Sequence, residues 1–329
     1  MKTVEVISFG ALNCDNVAFI TKFPEAEQKI NSTQLLPPAA AGVAIDCLTM
    51  VHNLGMECGH IGKLGDDMYG EIARKQLEDD QIDLSFTSVS AGERSALAWV
   101  MVNSKDGERC HIMHPTGEAG FVNMEDVEKA KDYIAAAKAI HIEMLQMPAK
   151  PLYEAMRIAR ENGVVTSMDL DIAPRFLYEY KYADPELMRN LIGVTDILKI
   201  CKDALKDLTD KTDLAEAATD IMQEYGSKLV IITDGEKGCV VVWRKDDSDE
   251  VQSAIVPAFT DTAVVDTTGA GDAFSGGFLY GYLNGYPYDK AAQLGNACGY
   301  LKALNIGARN MPSREKVEAF LQSKGWESL

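Results

Sequence analysis

Asp266-Thr267-Thr268-Gly269-Ala270-Gly271-Asp272 runs straight into Ala273-Phe274-Ser275-Gly276-Gly277-Phe278. A turn of small residues entering a helix leaves the first helical amides without intrahelical partners. Those donors and the helix dipole form an anion site, and glycine at 269 and 271 lets a phosphate approach the backbone. Asp272 falls in the first helical turn, where a carboxylate is stabilised and expected to stay ionised. That placing suits a general base that takes a proton from a hydroxyl while the oxygen attacks phosphorus. Asp is favoured at any helix start, and Gly-Ala-Gly-Asp alone is a weak signal. The whole heptapeptide entering a Gly-Gly helix is the stronger one.

Other short patterns carry less. Gly59-His60-Ile61-Gly62-Lys63 is not a phosphate loop of the Walker type, because the first Gly is misplaced and Leu64 follows the Lys. Cys110 and His114 would face one side of a strand and His111 the other, which argues against a shared metal. Asp169-x-Asp171 has the spacing for a divalent ion, although a carboxylate pair at a strand end explains it equally well. His52 lies on an amphipathic helix and reads as surface. No Ser/His/Asp or Cys/His grouping is supported locally.

The elements that must position these residues follow a regular rhythm. Strands are expected at 4–10, 58–64, 139–144, 164–170 and 228–233, and helices at 42–54, 69–79, 124–137, 152–162, 213–225, 273–284 and 290–304. A short helix from Ser313 closes the chain. Hairpins are expected at 97–102 with 109–113, and at 239–244 with 254–257. Strands alternating with helices predict an α/β fold with a mainly parallel central sheet covered on both faces. Residues 14–38 and 92–115 interrupt that rhythm as β-rich pieces of one small subdomain.

The chain has 329 residues, 47% hydrophobic and 25% charged, enough for a full core in one large α/β domain or two smaller ones. Thirty-two Lys+Arg against 50 Asp+Glu leave a net charge of −18. This speaks against nucleic acid and anionic membranes as partners, since both need clustered cations. Any phosphate must then be held by amides, a metal and a few placed cations. Seven scattered Cys without a Cys-x-x-Cys pair, no long apolar run, and Glu5 near the start point to a cytoplasmic protein with reduced thiols.

The heptapeptide resembles the C-terminal signature of the ribokinase-like (PfkB-type) sugar and nucleoside kinases. Further segments resemble the same family in the same order: Gly10 to Asp15, Gly62 to Gly70, Thr233 to Gly238, and Gly295 through Gly307 to Ser313. The resemblance implies one ribokinase-like domain over 1–329, with a β lid formed by about 14–38 and 92–115. It implies an ATP- and Mg²⁺-dependent kinase acting on a hydroxyl of a small sugar-like molecule. Asp272 would be the base, and Gly269, Ala270 and Gly271 the anion hole. Thr233, Gly235, Gly238 and Asn296 would line ATP. Asp15, Gly42 and Glu143 would face the substrate, and Asp266 would help hold a monovalent cation such as K⁺. A homodimer through the lid is also implied.

Three departures stand out. Asp46 replaces the Asn usual in the substrate motif, adding a negative charge that would suit an amine or another hydroxyl pattern. Cys201-Lys202-Asp203-Ala204 replaces the family's Asn-x-x-Glu, leaving Asp203 as the nearest carboxylate to stand in for the Glu. Asp169-Leu170-Asp171 with Arg175 resembles Asp-x-Asn-x-x-x-Arg, with Asp for Asn. Two alternatives therefore accompany the sugar kinase: a nucleoside kinase of the same fold, or a catalytically weakened sugar-binding or regulatory protein.

Overall fold

The computed structural model describes residues 4–105, 108–144, 147–245, 250–327 and 329. Strand β1 (Val6–Phe9) is buried along its whole length. β2 (Asn13–Ile20), β3 (Gln34–Leu35) and β4 (Ala39–Ala41) occupy the stretch without helical period. The apolar positions 43, 47, 50 and 51 fold into α1 (Val43–Asn53), with Gly42 at its start and Leu54 at its end. β5 (Cys58–Gly65) leads to α2 (Met68–Asp79), capped by Asp67, which accepts from the Gly70 amide at 2.9 Å. Then come β6 (Asp83–Ser90), β7 (Ala96–Asn103), β8 (Arg109–His114), α3 (Met124–Ala135), β9 (Ala139–Glu143), α4 (Ala149–Glu161) and β10 (Val165–Leu170).

Between 171 and 213 the sequence predicts no elements, yet the chain forms α5 (Pro174–Glu179), α6 (Pro185–Gly193), β11 (Ile197–Ile200) and α7 (Lys202–Leu205). Lys199 hides β11 by splitting its apolar run, although the strand is buried throughout. β6 is likewise absent from the strands that the pattern predicts. The remainder is α8 (Leu214–Tyr225), β12 (Leu229–Thr233), β13 (Cys239–Arg244), β14 (Val251–Val256), α9 (Ala270–Leu283), α10 (Tyr288–Ala303) and α11 (Arg314–Ser323). The tip of the β13–β14 hairpin, 246–249, lies outside the described residues.

Nine strands form one sheet in the order β14-β13-β12-β11-β10-β9-β1-β5-β6. From β12 to β6 every pairing is parallel, and β13 is antiparallel to both neighbours. One face buries apolar residues of α3, α4, α6 and α8. The other buries those of α1, α2, α9, α10 and α11. This is the mainly parallel, doubly covered sheet that the alternation predicts.

A second sheet, β3-β2-β7-β8 with β4 on β2, draws on residues 13–41 and 96–114. β2 and β7 pair in parallel over eight residues. Phe19, Ala98, Val100 and Val102 form its own small core. No described helix is long and apolar enough to cross a membrane.

Close packing of α9 against α1 places the anion turn. A Cβ on Gly276 would lie 2.6 Å from both the Cys47 carbonyl oxygen and Met50 Cβ. Its hydrogen therefore lets the two helices pack hard against each other. The N-terminus of α9 comes to lie at the carboxyl ends of the parallel strands, the end of such sheets where ligands bind.

Candidate active site

Gly269 starts α9 in the left-handed conformation at φ +79°. A Cβ there would approach the Ala308 carbonyl oxygen to 2.8 Å, so the turn and the loop after α10 need glycine to pack together. Among the described residues no side chain caps α9. Its first amides are left for a ligand, and the helix dipole favours an anion.

Asp272, in that first turn, faces a carboxylate-rich centre. Oxygens of Asp169, Asp171 and Asp272 lie within 4.8 Å of one another. Lys199, from the strand the sequence hides, places its buried ammonium 2.7 Å from Asp169 and 3.2 Å from Asp171. The Ser275 hydroxyl also donates to Asp169, at 2.7 Å. The pair considered for a divalent ion thus carries an internal cation against it, with Asp171 the more open of the two carboxylates. Burial alone would strip Lys199 of its proton; Asp169, Asp171 and Asp272 outweigh it and hold the charge.

The helix start favours an ionised Asp272, and the surroundings of the side chain pull the other way. Burial, reinforced by Asp171 and Asp46, raises its carboxyl well above the usual range, against the pull of Lys199. A helix N-terminus contributes only about 0.3–1 kcal/mol, too little to offset burial among like charges.

Toward the second sheet, Asp15 on β2 accepts from the Asn13 amide group at 2.7 Å. Gly42 precedes α1 and its carbonyl accepts from the Asp46 amide at 2.8 Å. Buried Asp46 has one carboxylate oxygen without a hydrogen-bond partner, 3.9 Å from an equally unpartnered nitrogen of Arg309. Nothing in the sequence singles out Arg309, and it offsets the charge that Asp46 adds. Glu143 accepts from the Ala11 amide at 2.9 Å through one oxygen and so ties the end of β9 to the β1–β2 loop.

Burial, with Asp46 adding to it, lifts Asp15 to about 7, and burial lifts Asp46 to about 6 against Arg309. Both folded values exceed those of the unfolded chain, so the folded protein holds extra protons from about pH 4 to 7. Each group therefore subtracts stability as pH rises through that window. Asp15→Asn should melt higher than the parent at pH 8, with the difference vanishing near pH 4. A differential scanning experiment showing a pH-independent difference would refute this.

Thr233, Gly235, Gly238 and Asn296 gather at the other edge. Thr233 pairs with Cys239, Cys239 with Val256, and Asn296 donates to the Val256 and Pro257 carbonyls at 3.1 Å. The Asp234 amide donates to the Gly238 carbonyl at 2.7 Å across the turn that holds Gly235. The Asn296 side chain thus holds the end of β14. Cys201 caps α7 through its sulfur, and Ala204 is fully buried. Asp203 turns outward to Arg175 and Lys206, at 3.6 and 3.3 Å, and does not stand in for the missing Glu.

Asp266 closes the arrangement. One oxygen accepts from the Thr268 amide (2.9 Å) and hydroxyl (2.6 Å), the other from the Gly307 amide at 2.8 Å. Arg109 of β8 hydrogen-bonds Thr268 and lies 3.6 Å from Asp266, joining the second sheet to the anion turn.

The pfkB family of carbohydrate kinases matches this chain over residues 4–315. An ATP-dependent ribose-1-phosphate kinase from Halopiger xanaduensis is 28% identical over 98% of this chain and 99% of its own length. Fructokinase-1 of Oryza sativa subsp. japonica is 27% identical over 97% and 98%. The ribokinase of Arabidopsis thaliana, solved with ribose and ATP, superposes with a TM-score of 0.78 at 20% identity, covering 97% of this chain and 99% of its own. A family match over nearly the full length, on a chain whose parallel sheet leads into the anion turn, leaves one conclusion: this chain belongs to the pfkB carbohydrate kinases and is an ATP-dependent kinase of sugars.

Proposed function

We propose that the chain transfers the γ-phosphoryl group of ATP to a hydroxyl of an uncharged, polyhydroxylated substrate, with Asp272 as the base. The observation that carries this reading is Asp272 at the uncapped start of α9, between the Thr233–Asn296 edge and the Asp15–Asp46 edge. Asp15 and Asp46 accept from substrate hydroxyls while Arg309 donates. Asp272 takes the proton of the attacking hydroxyl; the new O–P bond forms as the bond to ADP breaks. The amides at 269–271 and the α9 dipole hold the charge on the transferred group. Mg²⁺, when carried in with ATP, neutralises phosphate oxygens and takes few protein carboxylates; Asp171, the most open of its trio, is the ligand that fits. Lys199 keeps Asp169 and Asp171 from repelling the incoming triphosphate.

The acidic substrate edge disfavours anionic acceptors, because Asp15, Asp46 and Asp272 crowd it. An ADP-release assay with Mg²⁺-ATP against ribose, fructose, ribose-1-phosphate, amino sugars and nucleosides tests this. Turnover with neutral sugars, lost in Asp272→Asn, is expected. Silence on every acceptor, with sugar binding retained, would favour a weakened, non-catalytic protein and point to Ala204.

The second sheet is proposed as a lid that excludes water from the reaction. Its outer face exposes Trp99 (47%) and Ile112 (55%), paired in register, and Leu35 (65%). A second copy of the chain is proposed to cover them. Light scattering should then give a dimer, and Trp99→Glu a monomer. A monomeric parent protein would end the proposal.

A further inference from the structure

The resemblance implies a monovalent cation beside Asp266, but the structure fills that place from within. Lys302, on the last turn of α10, has no exposed surface. Its ammonium donates to the Asn305 carbonyl at 3.1 Å and to the Asp266 carbonyl at 3.4 Å. Those carbonyls belong to the two segments that carry the anion turn. Asp266 leads into it, and the loop after Asn305 reaches Ala308, against which Gly269 packs. Both carboxylate oxygens of Asp266 are already engaged by Thr268 and Gly307. A potassium ion needs a shell of carbonyl and carboxylate oxygens; here the carbonyls converge on a nitrogen and the carboxylate is committed. K⁺ does not fit beside Asp266 while Lys302 is in place.

We propose that the Lys302 ammonium is a tethered substitute for the monovalent cation, so that this kinase works without K⁺. The unit charge is the same, and the acceptors lie on the same two segments that support the 269–271 amides. Burial lowers the Lys302 ammonium from its usual value, and Asp266, Asp46 and Asp272 limit the fall. Arg109 adds a second cation on the outer side of Asp266. Lys302 is therefore a positioning residue: it touches no substrate, but sets the turn that holds the transferred phosphoryl group. This role rests on the proposed kinase activity.

The test titrates KCl against choline chloride at constant ionic strength, on the full chain and on Lys302→Ala. Two readouts are taken: turnover on the best acceptor and the melting temperature without substrates. The parent should keep its turnover within about twofold across the series, with no K⁺-specific change in melting. Lys302→Ala should lose about tenfold or more in choline and recover part of it with K⁺ or NH₄⁺. Its melting temperature should rise with K⁺ beyond the choline control, as a bound ion requires. K⁺ activation of the parent by about fivefold or more would overturn the proposal. So would an alanine variant indifferent to K⁺ in both readouts, which would mark Lys302 as a packing residue only. If Lys302→Ala does not fold, Lys302→Met serves in its place, and the parent titration still decides. Should no acceptor turn over, the melting arm still reads the cation, separating failure of this idea from failure of the kinase reading.

Discussion

Asp272→Asn should lower turnover by about 10²–10⁴-fold, the usual contribution of a positioned base, while ATP affinity stays near that of the parent. Asn keeps the shape and the helix start but cannot take a proton. Steady-state kinetics and calorimetric ATP binding check the two halves, and turnover within about tenfold of the parent would remove Asp272 from the role. The direction of its titration adds a sharper test. Burial, Asp171 and Asp46 raise the Asp272 carboxyl, so the acid limb of the pH–turnover profile should lie well above that of an ordinary carboxylate. Asp171→Asn removes a like charge and should shift that limb to lower pH. A shift upward, or none, would contradict the assignment.

Lys199→Met should be the most destabilising substitution in the centre, at about 3–5 kcal/mol near pH 8, the range for breaking a buried ion pair from one side. It leaves Asp169 and Asp171 facing each other and Asp272 without their cation. In the parent, Lys199 has a raised folded pKa, so its contribution is complete below the unfolded value and does not vary between pH 5 and 8. In the variant the orphaned carboxylates titrate upward and take protons as pH falls. The deficit should therefore narrow between pH 8 and 5. Urea unfolding at both values measures it; a deficit below about 1 kcal/mol, or one flat with pH, would show that the centre needs no cation.

Local features are legible in the sequence. The anion turn is seven consecutive residues, and α1 and α9 follow from spacing or from the turn that starts them. The partners of those residues are not legible, because they come from distant segments. Arg309 meets Asp46 through the packing of the last loop against α1, and nothing near position 309 announces it. Lys199 breaks the pattern of the strand that carries it, so strand and cation are hidden together. Lys302 lies on α10, which is buried on nearly all sides; with no polar face for contrast, a buried Lys reads as surface. The sign of the Asp272 shift is hidden for the same reason: the dipole of its own helix is local, whereas Asp171 and Asp46 arrive from other elements.

Cys110 lies on β8, beside the Arg109 that reaches the anion turn. It is exposed, whereas Cys14, Cys47, Cys58, Cys239 and Cys298 are buried and Cys201 is half-buried. Cys110 shares with Ile112 the face that a second copy is proposed to cover, so a thiol-reactive fluorophore should modify it readily in a monomer and slowly in a dimer. The chain thus carries its own chemical reporter of whether that face is covered, with no engineered cysteine.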